Sequence, residues 1–188
     1  MENPQISVVI VTLGRDSLYS LAKNLSSQKI AEGFEIVIVS EKPLDESLLD
    51  RNRVRIFYEP SGKGIPYYRN AGIRHSNGQI IAFIDDDEEP EEHWLSKITL
   101  PLTEGKDDAA TSGYRIPLGQ GYLADSISLL GFPGGGGIGF RTMWNVDENF
   151  CTKHLCTGNF AVRKDLIESV GMFDESLKFG AEDVELAQ

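Results

Sequence analysis

Cysteine is nearly absent. Cys151 and Cys156 are the only two in 188 residues, too few for a disulfide scaffold. With His154 between them they lack the fourth ligand of a zinc site, and His75 and His93 sit at no supporting spacing. Positive charge is also short: 18 Lys and Arg stand against 29 acids, for a net charge of −11. That argues against a broad nucleic-acid face, but not against a small phosphate-bearing ligand, because a cation or a few basic residues can invert the local field. No apolar run reaches the roughly 18 residues that read as a membrane span. The opening MENPQISVVIV has no basic stretch before its apolar run, so it does not read as a secretory signal. Neither GxxxxGK[ST] nor GxGxxG follows the first apolar run, which excludes those two phosphate cradles. The expectation is one cytoplasmic domain, with peripheral association at the cytoplasmic face of a membrane left open.

What is present is an alternation. Ile6–Val11 is short, continuous and β-branched, the pattern of a strand covered on both faces. Leu18, Leu21, Ala22 and Leu25 then share one helical face, with Asp16 or Ser17 able to cap it. Glu35–Ser40 and Val54–Tyr58 read as strands two and three. PSGKGIP, 60–66, reads as a loop, with Pro66 in the first turn of a helix over 67–75. Ile80–Ile84 is a fourth strand, and a helix over 91–100 follows with Trp94, Leu95 and Ile98 on one side. Beyond residue 105 the period weakens. Strands are expected over 109–116 and 157–163 and a short helix over 165–170, while the glycines 134–137 and Trp144 fall in a stretch of no clear period. The fold class is therefore α/β, a mostly parallel central sheet with helices on both faces. Ligands in such folds sit beyond the carboxyl ends of the strands. Thr12-Leu13-Gly14-Arg15, Glu41 and Asp85-Asp86-Asp87 fall there.

The run IIAFIDDDEEPEEHWL places acids at seven of the eight positions from 85 to 92. Glu91 and Glu92, past Pro90, are accounted for by a helix start, where negative charge is favourable. Asp85–Asp87 end a buried strand instead. Carboxylates about 4 Å apart repel by roughly 4 kcal/mol at an effective dielectric near 20, and a cation removes that repulsion. Alternation points Asp85 and Asp87 to one side and Asp86 to the other. An EF-hand starting at Asp85 fails, because Pro90 would stand at its sixth position and Ser96 at its twelfth. Two or three carboxylates suit magnesium or manganese with water and phosphate as the other ligands. The cluster thus predicts a metal-bridged phosphate ligand. Arg69, and Lys63 in its glycine-flanked loop, can reach phosphate or sheet-edge acids, although Arg69 fits equally well on an ordinary helix surface. Glu182-Asp183 is either a helix cap or a pair containing a general base.

These features, in this order, resemble family 2 glycosyltransferases of the GT-A, Rossmann-like fold. The similarity rests on SVVIVT with Leu13-Gly14-Arg15, on Glu41 after strand two, and on GIPYYRNAGIRHSNGQIIAFIDDDEEPEEHWL, 64–95. It continues in TGNFAVRK, FDE and GAED, 157–183. The resemblance implies an inverting transfer of a sugar from a nucleotide-diphosphate sugar, UDP favoured, to an acceptor hydroxyl. The acceptor would be a glycan, a lipid-linked molecule or another hydroxyl compound. Thr12, Gly14, Arg15, Glu41, Lys63, Arg69, Asp85 and Asp86 would bind the nucleotide, Glu41 at the base. Asp87 with Asp85 would hold Mn or Mg, and Asp183 would be the base with Glu182 beside it. One domain is expected over 1–188, with 1–100 the donor half and 101–188 an acceptor half that is incomplete at its end and loosely held from about Gly180. A nucleotidyltransferase and a non-catalytic nucleotide-sugar-binding module are the competing readings.

Overall fold

A computed structural model describes residues 4–112, 121–122, 146–178 and 181–187. Its strands are β1 (Ile6–Thr12), β2 (Phe34–Ser40), β3 (Val54–Tyr58), β4 (Ile80–Ile84), β5 (Ala109–Thr111) and β6 (Asn159–Arg163). Among the described residues they form one sheet in the order β3-β2-β1-β4-β6-β5. The first four are parallel, whereas β6 runs antiparallel to both β4 and β5. The helices are α1 (Ser17–Ser26), α2 (Ile65–His75), α3 (Trp94–Thr103), α4 (Lys164–Ser169) and α5 (Glu182–Leu186). Among the described residues no helix is long and apolar enough to cross a membrane.

The central strands are apolar on both faces because both faces are covered. Ile6, Val8 and Ile10 of β1 meet Leu18, Leu21 and Leu25 of α1 and Leu95 and Ile98 of α3. Val9 points the other way, into a second core with Tyr68, Ala71 and Ile73 of α2, Ile167 of α4 and Phe173. This is a three-layer α/β arrangement. At Gly72 an added Cβ would overlap Val9 Cγ1, so α2 packs directly onto the sheet.

Some boundaries differ from expectation. α3 begins at Trp94, three residues later than the acids at 91 suggest, and has no acid in its first turn. The backbone of Glu91 turns first, its carbonyl accepting from Gln28 Nε2 at 2.8 Å and from Trp94 N–H at 2.9 Å. Glu91 and Glu92 pair instead with Lys97 and Lys29. Asp16 occupies the N-cap of α1 but makes no side-chain cap bond. β5 closes at Thr111; residues 113–116, Gly134–Gly137, Trp144 and Gly180 lie outside the described residues. Cys151 is exposed and Cys156 buried.

The opposite, amino-terminal edge of the sheet is held by one carboxylate. Glu35 is 7% exposed. Its Oε1 accepts from Ser7 Oγ and Asn77 N–H, each at 2.7 Å. Its Oε2 accepts from Arg55 Nη1 at 2.7 Å and Asn77 Nδ2 at 3.2 Å. Burial pushes its pKa up, but the donors, led by Arg55, bring the net shift below the ordinary value.

Candidate active site at the carboxyl edge of the sheet

The register of β1 on β4 pairs Ile6 with Ile80 and Val9 with Phe83. Continued past the strand ends, it sets Asp86 beside Thr12. Thr12 Oγ1 donates to Asp86 Oδ2 at 2.6 Å and accepts from Gly14 N–H at 3.0 Å. Gly14 has φ 81°, the left-handed conformation this turn requires. Both Thr12 and Asp86 are buried. The middle acid is therefore a strut between two strand ends.

Its neighbours take different partners. Asp87 is exposed and accepts from Arg15 Nη1 at 2.7 Å, with Asp86 Oδ1 3.5 Å from the same nitrogen. Asp85 faces Arg69, which lies 3.2 Å away through Nη2. So Arg15 lies against both Asp86 and Asp87, and Arg69 against Asp85. Burial raises the Asp85 pKa, and Arg69 only partly offsets this against the added repulsion of Asp87 and Asp86. Burial also raises Glu88, with Asp85 and Asp87 adding to it. By count, four acids from Asp85 to Glu88 stand against two arginines, Arg15 and Arg69.

Arg69 is the centre of the site. It is 6% exposed, which overturns the helix-surface alternative. Its Nη1 donates to Glu182, also buried, while Nη2 reaches Asp85. One guanidinium thus joins the end of β4 to the start of α5. Removing one member of such a buried pair costs about 3–5 kcal/mol, because the other charge is left uncompensated. Ala181, at φ 71°, makes the left-handed turn that swings Glu182 inward. Asp183, the next residue, is half-buried, and its Oδ1 accepts from Val184 N–H at 2.9 Å.

Asn70 does for backbone what Arg69 does for charge. It is 2% exposed. Its Nδ2 donates to Phe173 O at 2.8 Å and to Glu175 Oε1 at 3.0 Å, and its Oδ1 accepts from Phe173 N–H at 3.0 Å. Phe173 then packs edge-on against Phe83. Sequence reasoning had not assigned Asn70 a partner.

Beyond β2, Glu41 is half-buried. Its Oε2 accepts from Tyr68 Oη at 2.7 Å and Gly62 N–H at 3.1 Å, and these two bonds lower its pKa. Gly62 and Gly64 have φ of 78° and 97°, and a Cβ on Gly64 would come within 3.2 Å of the Lys178 backbone. Lys63 is exposed, its amine 5.6 Å from the Tyr67 ring centre. Thr12, Gly14, Arg15, Glu41, Asp85–Asp87, Arg69 and Glu182-Asp183 thus lie along one edge of the sheet, with Lys63 on the neighbouring loop.

Residues 7–171 match the profile described as Glycosyl transferase family 2. The chain is similar to glycosyltransferase AglE of Haloferax volcanii, 28% identical over 136 residues that make up 70% of this chain and 40% of AglE. It is similar to glucosyl-dolichyl phosphate glucuronosyltransferase of the same organism, 26% identical over 121 residues, 60% of this chain and 39% of that protein. It therefore spans about 40% of the length of these curated relatives. Among solved structures, the mannosyltransferase PcManGT of Pyrobaculum calidifontis, in complex with GDP-Man and Mn2+, superposes with a TM-score of 0.68 at 19% identity, covering 99% of this chain and 51% of that chain. S. aureus TarS 1-349 in complex with UDP-GlcNAc superposes with a TM-score of 0.63 at 18% identity, covering 97% and 52%. At these identities the likeness is one of fold.

Proposed function

The chain belongs to glycosyl transferase family 2 with the GT-A fold, and from that premise we propose that it moves a sugar from a nucleotide-diphosphate sugar to an acceptor hydroxyl, with inversion and with a divalent cation. The observation that carries the reading is the Arg69 bridge between Asp85 and Glu182. It ties the acids at the end of β4 to the segment carrying Asp183.

Asp87 and Asp85 would hold the cation. They are about half-exposed, they offer only oxygen, and with Asp86 and Glu88 they outnumber the two arginines beside them, a repulsion that a cation would relieve. Among the described residues no three acids, thiols or imidazoles converge into a closed cage. Magnesium or manganese completed by water and diphosphate needs none. When bound, such an ion offsets charge on the leaving diphosphate. Arg15 and Lys63 are the exposed cations beside the donor phosphates, and Thr12 and Gly14 form the turn beneath them. Glu41 meets the base. Asp86 supports the site through Thr12.

Asp183 is the general base: its carboxylate is accessible, whereas that of Glu182 is committed to Arg69. Glu182 is then a positioning residue. The relative named a glucosyl-dolichyl phosphate glucuronosyltransferase favours a lipid-linked acceptor, used at the cytoplasmic face of a membrane.

Titration with UDP and GDP, with and without manganese, tests the donor site. Asp87→Ala is expected to abolish the metal-dependent part of binding. A donor panel tests transfer, and Asp183→Asn should lower turnover by at least about a hundredfold while nucleotide binding stays intact. Turnover retained in Asp183→Asn would refute the base assignment.

A further inference from the structure

Glu41 is the carboxylate at the expected position of the donor's base, and its two oxygens are unequally bonded. The strand order β4-β1-β2 sets it two strand spacings, about 10 Å, from the Asp85–Asp87 turn. That is about the reach from a diphosphate to its base.

A carboxylate has two oxygens, each able to accept two hydrogen bonds. Glu41 Oε2 already has two donors, Tyr68 Oη at 2.7 Å and Gly62 N–H at 3.1 Å. The Tyr68 hydroxyl carries one proton and has a second acceptor, Pro60 O, at 3.0 Å. The nearer, charged acceptor takes it. Tyr68 is 3% exposed, so this arrangement is fixed by the core and not by a loose surface contact. Among the described residues Oε1 has no hydrogen-bond partner.

One oxygen is thus available to a ligand. Uracil and thymine present a single imide N–H between two carbonyls. Guanine presents two adjacent donors, N1–H and N2–H, which need both oxygens of a carboxylate. Cytosine, or an N3-methylated uracil, presents no donor there. We propose that Tyr68 and the Gly62 amide make Glu41 a one-oxygen reader, so that this chain selects an imide base, uracil or thymine, over guanine. The proposal rests on the nucleotide-sugar reading above and names Tyr68 as the specificity-determining residue.

Calorimetric titration of the chain in manganese with UDP, dTDP, GDP and 3-methyluridine diphosphate tests it. UDP or dTDP is expected to bind at least about tenfold tighter than GDP and the methylated analogue; the UDP-to-dTDP ratio tells which pyrimidine is used. Tyr68→Phe keeps the ring in the core and releases a lone pair on Oε2, so the gap between UDP and GDP should shrink to about threefold or less. GDP binding as tightly as both pyrimidine nucleotides would overturn the proposal and leave the donor site standing. So would an unchanged gap in a Tyr68→Phe protein that melts cooperatively. Should that variant not fold, the methylated analogue decides: undiminished binding overturns the proposal. Binding of no nucleotide at all would overturn the donor-site reading itself.

Discussion

Replacing Glu35 by Gln changes one atom at the edge of the sheet farthest from the proposed site. If Oε1 remains oxygen, it keeps its bonds from Ser7 Oγ and Asn77 N–H. The new amide nitrogen then faces two donors, Arg55 Nη1 at 2.7 Å and Asn77 Nδ2 at 3.2 Å. Bonds to a charged acceptor contribute about 1.5–3 kcal/mol each and neutral ones about 1, so at the low end of that range loss of charge weakens the two retained bonds by roughly 1 kcal/mol together. Arg55 is 40% exposed and keeps the carbonyl of His75, so water softens its loss to about 1 kcal/mol. The sum is about 2–3 kcal/mol. The pH dependence has a definite sign. The folded-state pKa of Glu35 lies below its unfolded value, so its contribution is complete above about pH 4.5 and fades as pH falls through the folded pKa. Urea unfolding of both proteins, followed by circular dichroism at pH 7 and at pH 3.5, measures this. The difference should be about 2–3 kcal/mol at neutral pH and smaller in acid, with UDP affinity unchanged at neutral pH. A difference under about 0.5 kcal/mol at pH 7, or one that grows in acid, would refute the reasoning.

Gly72→Ala would drive a methyl into Val9 and should cost about 1–3 kcal/mol by thermal melting, with Val9→Ala partly restoring stability in the double variant. Gly78→Ala would bring its Cβ within 2.6 Å of Ser7 N and 2.7 Å of Ile6 C, both backbone, and should be rescued by no side-chain change. Asn70→Ala leaves the buried Phe173 N–H and C=O without side-chain partners, a loss of about 2–3 kcal/mol. Hydrogen exchange should accelerate over 173–186 more than over β1, and equal acceleration in both would contradict a local clip.

The sequence made the parallel half of the fold legible because its signals are local. Apolar runs such as ISVVIV and IIAFI, and the Leu18-Leu21-Ala22-Leu25 face, each declare an element within ten residues. It also made the site edge legible, since polar residues directly after buried strands have few other reasons to be there. What it hid depends on distant partners. The antiparallel pairing of β6 with β4, the burial of Asp86 through Thr12 and that of Arg69 through Glu182 follow from register and packing across the sheet. The start of α3 was misplaced because Glu91 spends its carbonyl on Gln28, which no spacing announces.

The Arg69 bridge has a consequence for how the chain is made. Asp85 stands 16 residues from Arg69, and Glu182 stands 113. A chain leaving the ribosome amino-terminus first can pair β1 with β2, β2 with β3 and β1 with β4 before the last quarter of the sequence exists. In that interval Arg69 has one carboxylate near it where the finished protein has two, and the face of α2 that receives Phe173 is bare. The carboxyl edge of the sheet is therefore shaped early in synthesis, and the segment carrying Glu182 and Asp183 docks onto it later. A pause in translation near residue 110 would leave β4 and α2 waiting for β6, Phe173 and Glu182, none of which has yet been made.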